Sequence, residues 1–303
     1  MEQNQFSLTA QLTAYVRAHH ALHDQPKIFD DSLARRFFSA EEYDEISRNL
    51  AQLAAVVDPQ QAAASADVTA KVAWVIRKLM SATLSRSRYA EDRLEAELTR
   101  GIAQYVILSA GLDTFGFRRP ELLRRLHVFE VDHPVTQTWK LSRLQRLQWP
   151  IPPALRFVAV DLVRDDLAAK LTAAGYDRDQ RTFVTWLGGT MYLPRTTVLE
   201  TLRTLAALAP SGSTIVFDYM ERDAYLPEKA GRSVLLTHQI LDRIREPWLL
   251  GFDPSRLADE LATVGLRLEE DLGPEQIESR YYANRSDGHH ASEHLHCACA
   301  VVP

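Results

Sequence analysis

Along the first hundred residues the apolar positions recur with a helical period. Leu12, Tyr15 and Val16 share one face, and Leu33, Phe37 and Phe38 supply another. Val72, Val75, Ile76 and Leu79 repeat at i, i+3, i+4 and i+7. The pattern predicts helix over residues 7–58 and 68–100, separated by the small, polar stretch Asp58–Asp67 and stopped by Gly101. From Tyr105 the pattern changes. Apolar runs at Tyr105–Ala110, Val128–Val131, Arg156–Val160, Thr182–Leu187, Thr214–Tyr219, Leu266–Asp271 and His294–Val302 read as strands. Helical stretches at Pro134–Leu147, Asp166–Ala174, Arg195–Ala209 and Pro254–Val264 separate most of them. Such alternation predicts a doubly wound, mainly parallel α/β sheet covered on both faces, with the last run as an antiparallel closing strand. The expected organisation is a seven-stranded core over residues 101–303, a helical cap from residues 1–100 belonging to the same domain, and a helical insertion at about 221–250 after the fifth strand.

The first strand runs straight into a turn, Ser109-Ala-Gly-Leu-Asp-Thr-Phe-Gly116, and the second ends in acid, Glu130-Val-Asp132. Strand, glycine turn, helix, strand and carboxylate form the first half of a nucleotide-binding sheet. Gly111 has no Cβ and lets the backbone approach a ligand. The carboxylate follows about 20 residues later, where such folds hold ribose hydroxyls. A dinucleotide site wants G-x-G-x-x-G, whereas this turn has only Gly111 and Gly116, with Asp113 between them. Asp113 would repel a pyrophosphate but suit a cationic sulfonium, so the turn favours S-adenosylmethionine (SAM) over NAD or FAD. The bland alternative is that Asp113 simply caps the following helix.

Ligands of open α/β sheets bind outside the carboxyl ends of the strands. The first strand end offers Gly111, Asp113 and Thr114. The second offers Glu130 and Asp132, which can share a face. The third offers Asp161, where an adenine amino group could be held, and the fourth offers Gly188 and Gly189, which open room beside a ligand. Net charge of −5 argues against a nucleic-acid surface. No apolar run reaches the ~20 residues of a membrane span. Met1–Phe6 lacks the basic and apolar regions of a signal peptide, and Cys297 and Cys299, expected to alternate with outward residues on the last strand, imply no disulfide framework. A cytoplasmic protein with a small-molecule substrate is expected, with neither nucleic acid nor membrane as partner.

Ala110-Gly-Leu-Asp-Thr114, Phe129-Glu-Val-Asp132, Val160-Asp-Leu162, Thr190-Met-Tyr-Leu193, Val216-Phe-Asp-Tyr219, Glu246-Pro-Trp248 and Arg280-Tyr-Tyr-Ala-Asn-Arg285 occur in that order. Together they resemble the leucine carboxyl methyltransferase-like family of SAM-dependent methyltransferases, particularly its bacterial O-methyltransferase branch. The resemblance spans residues 17–288. It implies a Rossmann-like core, SAM as cofactor and S-adenosylhomocysteine (SAH) as product. It further implies that Gly111 contacts the methionine part of SAM, that Asp132 holds the ribose with Glu130 nearby, and that Asp161 and Leu162 frame the adenine. Arg88 is expected to pair with the SAM carboxylate, Arg17 to lie near it, and Tyr192 to face the substrate as the catalytic candidate. Two positions depart from the family pattern: Phe115 stands where many members have arginine, and Gly188 where many have glutamate.

A carboxylate nucleophile is ionised at neutral pH and needs no general base, unlike a hydroxyl. No clear metal-ligand cluster stands out, and His289, His290, His294 and His296 read as a polar loop entering a strand. Methylation of a small acid is therefore the leading expectation, with Arg280, Tyr281, Arg285 and His238 as acceptor-binding candidates. The alternatives are methylation of a hydroxyl, a nicotinamide-dependent oxidoreductase, and a SAM-binding protein without turnover.

Overall fold

The computed structural model describes residues 7–303; the hexapeptide Met1–Phe6, read above for a leader, lies outside the described residues. The N-terminal third is helical, but broken more often than the periodicity suggests. Helix α1 (Leu8–His23) is followed by Pro26, which cannot continue it, and by a 3-10 turn at Ser32–Phe37. Helix α2 (Ala40–Val57) starts with a reciprocal cap between Ser39 and Glu42. The polar stretch, readable as a loop or a frayed helix end, contains the short α3 (Pro59–Ala63), started by the Asp58 side chain with Pro59 in its first turn. Helices α4 (Val68–Leu79) and α5 (Ala82–Leu98) complete the cap, with a break at Met80 and Ser81.

The seven expected strands all form. They are β1 (Gln104–Leu108), β2 (His127–Asp132), β3 (Leu155–Ala159), β4 (Thr182–Trp186), β5 (Thr214–Met220), β6 (Arg267–Leu272) and β7 (Leu295–Val301). Their order is β3-β2-β1-β4-β5-β7-β6, parallel except for β7, which runs antiparallel to both neighbours and lies between β5 and β6. Connecting helices are the short α6 (Phe115–Arg118), α7 (Pro134–Arg146), α8 (Leu167–Ala173), α9 (Arg195–Leu208), α10 (Arg232–Arg243) in the insertion, α11 (Leu257–Ala262) and α12 (Pro274–Ile277). Strand order reverses between β1 and β4, which makes their carboxyl ends the crevice of the fold.

Period-two alternation divides the core between the sheet's faces. Tyr105 and Ile107 of β1 enter the core shared with the cap, while Val106 and Leu108 enter the other. The same alternation places Cys297 and Cys299 on the cap side, both free and buried. The residue between them, Ala298, is buried in the second core, not outward as expected, because helices cover both faces. Among the described residues no helix is long and apolar enough to cross a membrane.

One cap residue carries a pH signature. His19 of α1 is 2% exposed, and neither ring nitrogen has a hydrogen-bond partner. Burial first, then neighbouring His23, push its imidazole down to about 4. The unfolded chain takes up this proton near pH 6.5, as an unperturbed histidine does. Between those values the unfolded state holds more protons, so stability falls as pH drops through the window. We expect His19→Phe to flatten the curve there, the difference between variant and parent changing by up to ~3 kcal/mol from pH 7 to pH 4. Urea midpoints across that range test this; parallel curves would remove His19 as the cause.

Candidate active site

A cavity of about 450 Å³ opens at the crevice, roofed by the start of α1 and by the insertion. Its floor is the β1 turn. Gly111 has φ of +50°, and a Cβ there would come 3.2 Å from Ala10 Cβ of α1, so glycine lets the cap close on the turn. The Gly111 N–H donates to the Asp132 carboxylate through a very short bond, and the His133 N–H donates to the same group at 2.6 Å. Burial raises the Asp132 carboxyl above the ordinary value, opposed by these two donors. Asp161 follows β3, accepting from Val163 N at 3.0 Å, and lines the same wall with Leu162. Gly111, Asp113, Asp132, Asp161, Leu162, Gly188, Tyr192 and Arg17 thus converge on one cavity, as the sequence suggested.

Asp113 does two things here: it lines the cavity and its carboxylate accepts from Phe115 N at 2.6 Å, the helix-starting role offered as the bland alternative. Arg17 reaches across from α1, donating to Asp31 at 2.9 Å and to the Leu112 carbonyl at 2.7 Å. Tyr192 sits in the turn after β4, and burial raises its phenol pKa, opposed by nearby Trp248, Arg86 and Thr9.

Several expected residues lie elsewhere. Arg88 points to solvent, about half exposed, and pairs with Asp92 one turn on at 2.7 Å. The arginine inside is Arg86, two positions earlier and so on the other side of the helix. Arg86 donates to the fully buried Asp218 of β5 at 2.9 Å, and Asp218 also accepts from Gly188 N at 2.6 Å. Glu130 does not reach the cavity: its side chain is buried behind the turn against Lys140 of α7. Burial pushes Glu130 up to about 7 against the pull of Lys140. Lys140 also donates to the Asp113 carbonyl at 2.7 Å, so the pair braces the turn from below.

The acceptor-binding candidates are also displaced. Arg280 pairs with Glu270 on the edge strand β6, the Tyr281 hydroxyl donates to Asp92, and Arg285 is held by Asp287 and the Pro26 carbonyl. All three belong to the connection after β6, and none lines the cavity. His238 packs inside the insertion, edge-on to Tyr225 and Trp248, with Nε2 3.1 Å from the Ala224 carbonyl oxygen. In their place the structure brings in Glu246, buried at the cavity edge. It accepts from Leu8 N at 2.8 Å, Thr9 N at 3.1 Å, Thr9 Oγ1 at 2.5 Å and Ser7 Oγ at 3.3 Å. One carboxylate of the insertion thereby caps the first turn of α1.

A seven-stranded sheet with one reversed strand and a cavity at the β1–β4 crevice defines the SAM-dependent methyltransferase class. The leucine carboxyl methyltransferase family profile matches residues 10–206. "Putative S-adenosyl-L-methionine-dependent methyltransferase YktD" of Bacillus subtilis (strain 168) is 35% identical over 303 residues, covering 99% of each chain. A "Putative S-adenosyl-L-methionine-dependent methyltransferase" from Mycolicibacterium paratuberculosis is 32% identical over 215 residues, covering 64% of this chain and 66% of its own. In fold the chain is similar to a DUF574 family protein from Streptomyces avermitilis, at a TM-score of 0.57 and 16% identity, covering 96% of this chain and 97% of the other. The chain belongs to the leucine carboxyl methyltransferase family, and SAM is its cofactor. This sets aside the nicotinamide reading.

The Lys140–Glu130 brace gives a test within the fold. Lys140→Met strands a buried carboxylate and is expected to cost on the order of 3 kcal/mol of stability. Adding Glu130→Gln should return part of that loss. Denaturant midpoints of the two proteins decide it; a double variant no more stable than the single one would show that the buried charge is not what matters.

Proposed function

We propose that this protein methylates the carboxylate of a small acid, giving a methyl ester and SAH. SAM, when bound, supplies the methyl group, which passes to an acceptor oxygen as the S–CH3 bond breaks with its electron pair left on sulfur. The cavity fits this cofactor by its donors and its shape. Asp132, at the end of β2, would hold the ribose hydroxyls. Asp161 and Leu162 would frame the adenine, and Gly111 would leave room for the methionine part. Arg86 takes the place expected for Arg88, with Arg17 beside the same turn, as the partner of the SAM carboxylate.

The observation carrying the acceptor assignment is the state of the groups around Tyr192. Glu246 lies there with both oxygens engaged by the first turn of α1, which holds it away from an acceptor. The Tyr192 phenol is raised in pKa and would donate, not accept. An acceptor that needs no deprotonation suits such a wall, and a carboxylate is one. Tyr192 would orient it, and α1 would shield the reacting atoms from water.

Two measurements test this reading. Calorimetry with SAM and SAH should show Arg86→Ala weakening binding by roughly 10- to 100-fold, the loss of charge-assisted hydrogen bonds, and Arg88→Ala changing it little. Equal effects would undo the assignment of Arg86. With a carboxylic acid acceptor, kcat should be nearly flat between pH 6 and 9, because the nucleophile is already ionised. A rate climbing steadily with pH would instead indicate a hydroxyl acceptor.

A further inference from the structure

We infer that the acceptor is a monocarboxylic acid with an apolar body, which lies over Leu249 and Leu8 while its one carboxylate faces Tyr192. This rests on the carboxylate reading above and narrows it to a substrate class.

Besides Arg86 and Glu246, whose charges act on Tyr192, the cavity lining from α1, the β4 turn and the insertion includes Thr9, Thr13, Leu187, Leu193, Pro247 and Leu249, all neutral. Of these charges, Glu246 already accepts from four donors, three on one oxygen and Leu8 N on the other. The arginines lining the cavity are not free for the acceptor: Arg86 and Arg17, already paired with Asp218 and Asp31, are assigned above to the cofactor's carboxylate, and Arg164 lies near Asp161 beyond β3. A second anionic group on the acceptor would therefore leave water with no cation to meet it, which is costly.

The rim points the same way. Few large apolar side chains are exposed among the described residues, and Leu249 (58%) and Leu8 (38%) are two of them. Backbone bonds hold both in place. Leu249 N donates to the Met191 carbonyl at 2.6 Å, one residue before Tyr192. Leu8 N donates to Glu246, and its neighbours Ser7 and Thr9 line the cavity. Leu249, in the cavity wall, and Leu8, between two lining residues, are thus held in place with their side chains uncovered. A hydrocarbon leaving the cavity past Tyr192 would cover them and gain the free energy of apolar burial.

Initial rates at saturating SAM should be compared for acetate, hexanoate and decanoate, with the dicarboxylates adipate and sebacate alongside. We expect kcat/KM to rise roughly three- to fourfold per methylene over the first few carbons, and adipate to fall at least roughly tenfold below hexanoate. No gain with length, or adipate equal to hexanoate, would overturn this inference and leave carboxylate methylation standing. Turnover confined to alcohols or phenols would overturn the proposed function and this inference with it. If none of the acids turns over, titration of the SAH-loaded protein with the same series decides the point: affinity rising with length supports the inference, and affinity independent of length refutes it. Leu249→Arg, at an exposed position where folding can be verified by its unfolding midpoint, should narrow the hexanoate–adipate gap roughly tenfold. An unchanged ratio would overturn the placement of the apolar body over Leu249.

Discussion

A carboxylate removed from water must be met by donors, and this requirement organises the molecule around its cavity. Asp132 is met by the N–H groups of Gly111 and His133, Asp218 by Arg86 and the Gly188 N–H, and Glu246 by the first turn of α1. Glu130 is met by Lys140. Glu130 and Lys140 are only ten residues apart, but the Asp218 and Glu246 pairings join elements far apart in sequence. Asp132 ties β2 to the β1 turn, Asp218 ties β5 to the cap helix α5, and Glu246 ties the insertion to α1. Remove the charges and the sheet would still have its apolar faces, but the cap would lose the contacts that register it over the strand ends.

The sheet decides where those charges fall. Reversal of strand order between β1 and β4 leaves a crevice that no crossover helix fills, so the cap can enter it. Ala10 meets the turn where Gly111 has no side chain, and Arg17 grips the Leu112 carbonyl from the same helix. Closure of α1 and shaping of the cofactor turn are thus one packing event. The insertion completes it, because Leu249 and Leu250 hydrogen-bond to the turn that carries Tyr192.

Much of this was legible in the sequence because it rests on periodicity. All seven strands and the carboxylates at their ends follow from apolar runs that stop at acid or glycine. What stayed hidden depends on helix phase and on distant partners. Arg86 and Arg88 are two residues apart, and the resemblance pointed to the one that faces solvent and not to the one that lines the cavity. A signal was available: Arg88 has Asp92 one turn on, an i, i+4 pair that marks a solvent face. Lys140 could also have been noticed, since it falls among Thr136, Gln137 and Leu144 on the buried stripe of α7. Asp218 is an acid inside an otherwise uncharged strand, which is itself a cue. Glu246 stood in one motif of the resemblance, Glu246-Pro-Trp248, but nothing local gave its role, because its partners lie more than 230 residues away. Arg280 and Arg285 failed for a topological reason. Both lie in the connection after β6; Arg280 stays at the edge with β6, and Arg285 turns to the Pro26 carbonyl of the cap.

The departure at Gly188 has a physical account in the same terms. Gly188 has φ of +66°, and a Cβ there would stand 2.5 Å from Arg86 Nη2. A glutamate at this position would be strained by its backbone and would collide with the arginine. The carboxylate that faces Arg86 comes instead from Asp218 on the adjacent strand, and the Gly188 N–H binds that same carboxylate. The negative charge beside Arg86 therefore comes from β5 and not from the turn after β4. Because Asp218 is fully buried and held by two donors, it also fixes the arginine more rigidly than an exposed side chain on a turn would. Glycine at 188 and aspartate at 218 are two halves of one arrangement, and neither can be judged as a gain or a loss without the other.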